Sequence, residues 1–172
     1  MNFQNAEVLA QTTTTSAAAF ASDFLVVLIL FAVVLAFAFR SGRRGIIALT
    51  FSTYIGITLY NIFPYKEMIL GWTTQPLTSL ILLVAMVLIF IAVPYLILKR
   101  IIVTEFLGRG KLFFSAVLSF LITTTLLASA YHLLPVREYY VFTPALDRLF
   151  MPEEFLFWWL IAPIVALWLL VR

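Results

Sequence analysis

The chain has no cysteine and a single histidine among its 172 residues. Missing thiols exclude disulfides, thiolate metal sites and cysteine nucleophiles, and they leave the redox compartment unread. The lone histidine, His132, cannot build a metal centre without nearby carboxylates, and no His-x-x-x-His or Glu-x-x-His spacing occurs. It reads instead as an interfacial, hydrogen-bonded side chain. Charge is also scarce: 11% of residues are Asp, Glu, Lys or Arg, against roughly a quarter in a soluble domain. None of these falls in the middle of a long apolar run. Proton relays and ion-coupled carriers place ionisable groups at that depth, so a secondary transporter is disfavoured. Ser-His, Asp-Asp and His-Glu-x-x-His arrangements are missing from the apolar runs, which sets aside intramembrane proteolysis. The expectation is therefore a chain with no catalytic residues, no cofactor and no metal.

What is present is hydrocarbon. Hydrophobic residues make up 64% of the chain, and the mean hydropathy is +1.10. No polar stretch is long enough to fold a separate soluble core, so residues 1–172 read as one membrane domain. A bilayer core needs about 20 apolar residues of helix. Five segments qualify, at about 24–39, 45–63, 77–98, 112–134 and 155–171, the first extended by Ala17–Phe20 ahead of Asp23. Pro94 in the third and Pro163 in the fifth predict kinks, because each removes a backbone hydrogen bond. The predicted fold is an all-α polytopic membrane bundle of five transmembrane helices.

Short cytoplasmic loops collect Lys and Arg, which orients the bundle N-out and C-in. The inner face then receives Arg40, Arg43, Arg44, Lys99, Arg100, Arg109, Lys111 and Arg172, and the outer face only Lys66, Arg137 and Arg148. Glu105 alone among the acids lies inside. Residues 1–22 form a polar outer tail with a Thr12–Thr15 run and no basic segment ahead of the first span, so they make a poor signal peptide. The basic pI follows from this one-sided placement and implies no nucleic-acid partner.

The stretch Phe39–Ile47, FRSGRRGII, interrupts this pattern with three arginines and two glycines. A phosphate-binding P-loop needs a longer Gly-rich arc ending in Lys-Ser/Thr after a strand, and neither is present. Gly42 is expected to end one helix and Gly45 to free the start of the next. Arg40, Arg43 and Arg44, with Lys99, Arg100, Arg109 and Lys111 of the second inner loop, read as topology anchors at anionic lipid headgroups. That second loop, KRIIVTEFLGRGKLF, reads as an interfacial connector, with Ile101, Ile102, Phe106 and Leu107 dipping into the bilayer surface.

Midspan polarity is confined to hydroxyls and small residues. Ala48, Ser52 and Gly56 fall four apart on one helix face, and Ser115, Ser119 and Thr123 do the same, followed by Thr124, Thr125, Ala128 and Ser129. Such ladders allow close helix approach. They serve packing of spans two and four on each other, docking of a partner subunit or second copy, or, with several copies, a hydroxyl-lined path. In the outer loop, Thr143 is expected to cap a short interfacial helix with Pro144 at its first position. Ala145, Leu146, Leu149 and Phe150 form its apolar face, and Tyr139, Tyr140 and Phe142 lie close in sequence. Trp72, Trp158 and Trp159 fit an outer aromatic belt.

Asp23 before the first span, FRSGRRGII after it, and the later KRIIVTEFLGRGKLFFSAVLSFLITTTLLASAYHLL resemble the layout of CvpA-like (colicin V production) membrane proteins across about residues 23–134. This chain departs from them in having Gly110-Lys111, the Ser115/Ser119 ladder and a fifth span. The resemblance implies a bacterial cytoplasmic (inner) membrane protein without an enzymatic site, linked to envelope or secretion processes. The expected function is a non-enzymatic membrane subunit or scaffold. Its alternative is a channel or transporter component.

Overall fold

A computed structural model describes residues 3–72, 75–102, 111–134 and 142–171. Among the described residues every regular element is a helix: α1 Phe3–Ile62, α2 Lys66–Leu70, α3 Pro76–Ile101, α4 Lys111–Leu133, α5 Pro144–Phe150 and α6 Glu153–Val171. Three stretches have the length and apolarity of a membrane span: Ala21–Ile62, Leu77–Ile101 and Phe113–Leu133. The pair α5 and α6, bent by 69° at its break, qualifies when taken together. The chain is a membrane-integral helical protein. Helix extends back from the first span as far as Phe3, so the backbone of the polar tail continues the span rather than leaving it.

The 42 residues of Ala21–Ile62 would reach about 63 Å as one straight helix, twice the roughly 30 Å of a bilayer core. The chain instead doubles back at Gly42. Its φ of 68° and ψ of −171° lie in a region essentially reserved for glycine, since a Cβ would meet the flanking backbone. Contacts at both ends demonstrate the reversal. Thr143 N–H donates to Asp23 Oδ2 at 2.6 Å, and the Tyr60 hydroxyl donates to the Leu133 carbonyl at 3.3 Å. The starting arm and the returning arm therefore both end beside the C-terminus of α4. At the other end, Val34, Ala38, Ile46 and Ile47 pack in one cluster with Phe114, Leu118 and Ile122 of α4 and Leu167 of α6.

Helix α4 is the centre of the bundle. The returning arm runs parallel to it, from Ile46 beside Phe114 to Tyr60 beside Leu133. The starting arm and α6 run antiparallel to it, and α3 lies outside the returning arm, with Leu83 and Met86 against Tyr60. Most of the large apolar side chains that α4 does not cover remain exposed, including Leu25, Ile29 and Val33 on the starting arm and Leu88, Leu96 and Ile97 on α3. Such a surface suits hydrocarbon rather than water.

Candidate functional site

The polar content of the bundle sits where water is scarce, so each hydroxyl must find an acceptor or carry a desolvation cost. Most turn back onto their own helix. Thr50 donates to the Ile46 carbonyl at 2.9 Å, Ser52 to Ala48 at 2.6 Å, Thr53 to Leu49 at 2.9 Å, and Thr123 to Ser119 at 2.8 Å. Others reach across to another helix, two of them to α6. Thr125 Oγ1 donates to the Trp159 carbonyl at 2.8 Å, and the Tyr54 hydroxyl donates to the Leu160 carbonyl. The cause lies in α6. Pro163 has no N–H, so the carbonyl four residues earlier, that of Trp159, loses its helical donor. Thr125 supplies the replacement. Proline is tolerated in this span because a neighbouring helix satisfies the carbonyl it releases.

Ala48, Ser52, Gly56, Ser115, Ser119 and Thr123 are all buried inside the chain. At Gly56 the first ladder faces α3: a Cβ placed there would lie 2.5 Å from Ile91 Cγ1 and 3.0 Å from the backbone of Phe90 and Ile91, so α3 approaches closely at this position. Phe90 is also the residue whose carbonyl loses its helical donor to Pro94. The absent side chain of Gly56 thus faces the stretch of α3 that Pro94 leaves short of a hydrogen bond. Ile46 and Ile47, beside the first ladder, cluster with Phe114, Leu118 and Ile122 of α4. The Ser119 and Ser129 hydroxyls are buried with no hydrogen-bond partner.

At the Gly42 turn the basic residues divide. The Arg43 guanidinium lies over the Phe114 ring, 4.3 Å from its centroid, and is drawn into the bundle. Arg40 and Arg44 are exposed, as are Lys99 and Arg100 in the last turn of α3. Tyr95 joins the two segments: its ring packs edge-on against Phe37 at 5.3 Å and its hydroxyl lies 3.4 Å from Ser41 Oγ. Lys99 Nζ stands 5.6 Å from the Tyr95 centroid. Arg109, with residues 103–110 of the expected connector, lies outside the described residues, as do the side chain of Lys111 and all of Arg172.

The opposite end carries features that the sequence reading passed over. Asp23, read there only as an acid ahead of the first span, is 2% exposed. Its carboxylate accepts the backbone N–H of Thr143 and so ties the start of the bundle to the start of α5. Thr143 does occupy the cap position, with Pro144 following, but its hydroxyl makes no capping bond and is buried without a partner. A partly open cavity of about 290 Å³ lies beside Asp23, between the starting arm, α4, α5 and α6, lined by Phe24, Phe120, Leu149 and Trp159 among others. The aromatic groups here are more than a belt. Trp159 stacks on Phe150 at 5.6 Å and donates its indole N–H to the Leu149 carbonyl at 3.1 Å, whereas Trp72 and Trp158 are exposed. His132 Nε2 lies 3.1 Å from the Phe150 carbonyl, an acceptor, so that nitrogen carries the proton. Tyr139 and Tyr140 lie outside the described residues.

No group of three or more His, Cys, Asp or Glu side chains able to hold a metal occurs among the described residues. Comparison of the chain with protein-family models, curated proteins and solved structures gave no match.

Proposed function

We propose that the chain is a non-enzymatic membrane subunit that crosses the bilayer five times, N-out and C-in, and packs with other membrane proteins or with a second copy of itself. Counting the two arms of α1 as separate spans, with α3, α4 and the α5–α6 pair, gives the five. The one-sided placement of Lys and Arg supports the sidedness. The observation that carries the subunit reading is the fate of the midspan hydroxyls. They are buried within a single chain, and most donate to carbonyls of their own helix or of α6. A path for solute would need such groups turned towards water, so their use as packing contacts favours a structural role over a channel. The resemblance of residues 23–134 to CvpA-like proteins is what suggests a bacterial cytoplasmic membrane and a part in envelope or secretion processes.

The absence of native cysteine makes the test direct. In intact cells an impermeant thiol reagent should label Gln75→Cys from outside and leave Arg100→Cys untouched until the membrane is opened. Cysteines at positions 123, 124 and 125 should stay unreactive from either side. Labelling of these three would favour the channel reading. Gentle extraction with crosslinking and mass spectrometry should recover a second membrane chain. A clean monomer would sink the subunit role.

A further inference from the structure

The Gly42 turn and the last turn of α3 lie 54 residues apart in sequence at their nearest hydrogen bond, yet they assemble one patch. The pair Ser41–Tyr95 holds two hydroxyl donors and makes one bond between them at 3.4 Å, which leaves one O–H able to donate outward. Lys99, four residues after Tyr95 and so on the same face of α3, brings its ammonium to 5.6 Å from the Tyr95 ring. Arg40 and Arg44 flank Ser41 in the turn and are exposed, unlike Arg43 with its guanidinium on Phe114. The turn is closed by Gly45, whose added Cβ would lie 2.2 Å from Ser41 Cβ and 3.5 Å from the Tyr95 hydroxyl. A side chain there would push apart the two hydroxyls that meet beside it. All the described acidic side chains, from Asp23, Glu67, Asp147, Glu153 and Glu154, belong to the other end of the bundle. Cations and a spare hydroxyl donor, with no carboxylate among the described residues at this end, make a site for a phosphate monoanion. Exposed Phe39, Leu96 and Ile97 border it, which suits an anion that carries acyl chains.

We propose that this patch binds one anionic phospholipid, with its phosphate held by Lys99 and by the spare O–H of the Ser41–Tyr95 pair, and its charge matched by Arg40 and Arg44. The proposal rests on the membrane-spanning reading but not on its sidedness. It differs from general attraction of a basic face because it requires the two hydroxyls.

The test is native mass spectrometry of the full chain, delipidated in mild detergent and offered phosphatidylglycerol, phosphatidylcholine or inorganic phosphate. One phosphatidylglycerol per chain should be retained in preference to phosphatidylcholine. Lys99→Gln should weaken that retention about fivefold, as expected for one interfacial cation. Ser41→Ala and Tyr95→Phe should each weaken it by a similar factor while keeping the fold, since the phenylalanine preserves the ring contact with Phe37. Lys66→Gln, a cation at the other end of the bundle, should change nothing. Circular dichroism and the increase in Tm on adding phosphatidylglycerol separate loss of binding from loss of fold. Hydroxyl variants that bind like the parent would overturn the proposal. So would equal retention of both lipids, or displacement by millimolar inorganic phosphate. If such a result came with spans still protected in vesicles, the site would fail and the membrane reading would stand. A chain that did not insert would end both.

Discussion

Replacing Thr125 with valine removes one hydroxyl and keeps the branched shape, in a side chain 1% exposed. What it strands is the Trp159 carbonyl, already deprived of its helical donor by Pro163. Interhelical hydrogen bonds in membranes average about 0.6 kcal/mol and reach about 1.7. A buried acceptor left unpaired costs about 1–3 kcal/mol. Because the carbonyl has no second donor to fall back on, the cost should lie where these ranges meet, at about 1.5 kcal/mol. For a chain of this size that corresponds to a Tm lower by about 3–6 °C. The stronger test is a double-mutant cycle with Pro163→Ala, which restores an N–H four residues beyond Trp159. In that background the carbonyl regains its helical partner, and Thr125→Val should cost less than about 0.5 kcal/mol. The measurement is reversible unfolding of the purified protein in mixed micelles of mild and denaturing detergent. If Thr125→Val costs the same with proline or alanine at position 163, the hydroxyl is not serving the proline-released carbonyl and the reasoning is wrong.

Gly56→Ala should destabilise by about 1–3 kcal/mol in the same assay, because its Cβ would meet Ile91 and the α3 backbone within a crossing that has no slack. A neutral result would show that α3 approaches less closely than described. Asp23→Ala should release the start of α5, leaving the Thr143 N–H without its acceptor at a cost of about 1–3 kcal/mol, while Asp23→Asn, which still offers an oxygen, should recover most of it. Limited proteolysis near residues 142–152 should rise in the alanine variant only. Equal rises in both would assign the effect to lost charge instead.

The long apolar helices were legible because hydrocarbon leaves few choices, whereas the short α2 and the extension of α1 back to Phe3 were not. A run such as 77–98 can only be a helix, and Gly42 between Ser41 and Arg43 marks a reversal that a span of 42 residues requires. Partner choice between helices was not legible. Ala48, Ser52 and Gly56 stand on one face at regular spacing, but the spacing is silent on which helix fills it, and at Gly56 the answer is α3, through Phe90 and Ile91. Nor did spacing reveal why Thr125 differs from Thr123. Both are threonines on one helix, yet one donates to its own turn and the other to α6, and the distinction comes from a proline 38 positions away. Asp23 was visible as an acid at a membrane edge, but its burial depends on Thr143, 120 residues distant. Long-range pairing of single polar groups leaves no periodic trace.

The prolines and hydroxyls together bear on why this bundle has polar residues at all. A purely apolar set of spans would have little to distinguish one helix packing from another, since lipid tails compete equally for every apolar face. Pro163 creates one carbonyl in α6 that needs an outside donor, and Thr125 is placed to supply it. The bond from Tyr54 to Leu160, one residue further along, fixes the returning arm of α1 to the same turn of α6. Two helices are thereby registered against a single point of α6. Registration of this kind spends the donors of Thr125 and Tyr54 on carbonyls of α6, so the packing of α1, α4 and α6 is selected by polar groups that hydrocarbon cannot satisfy.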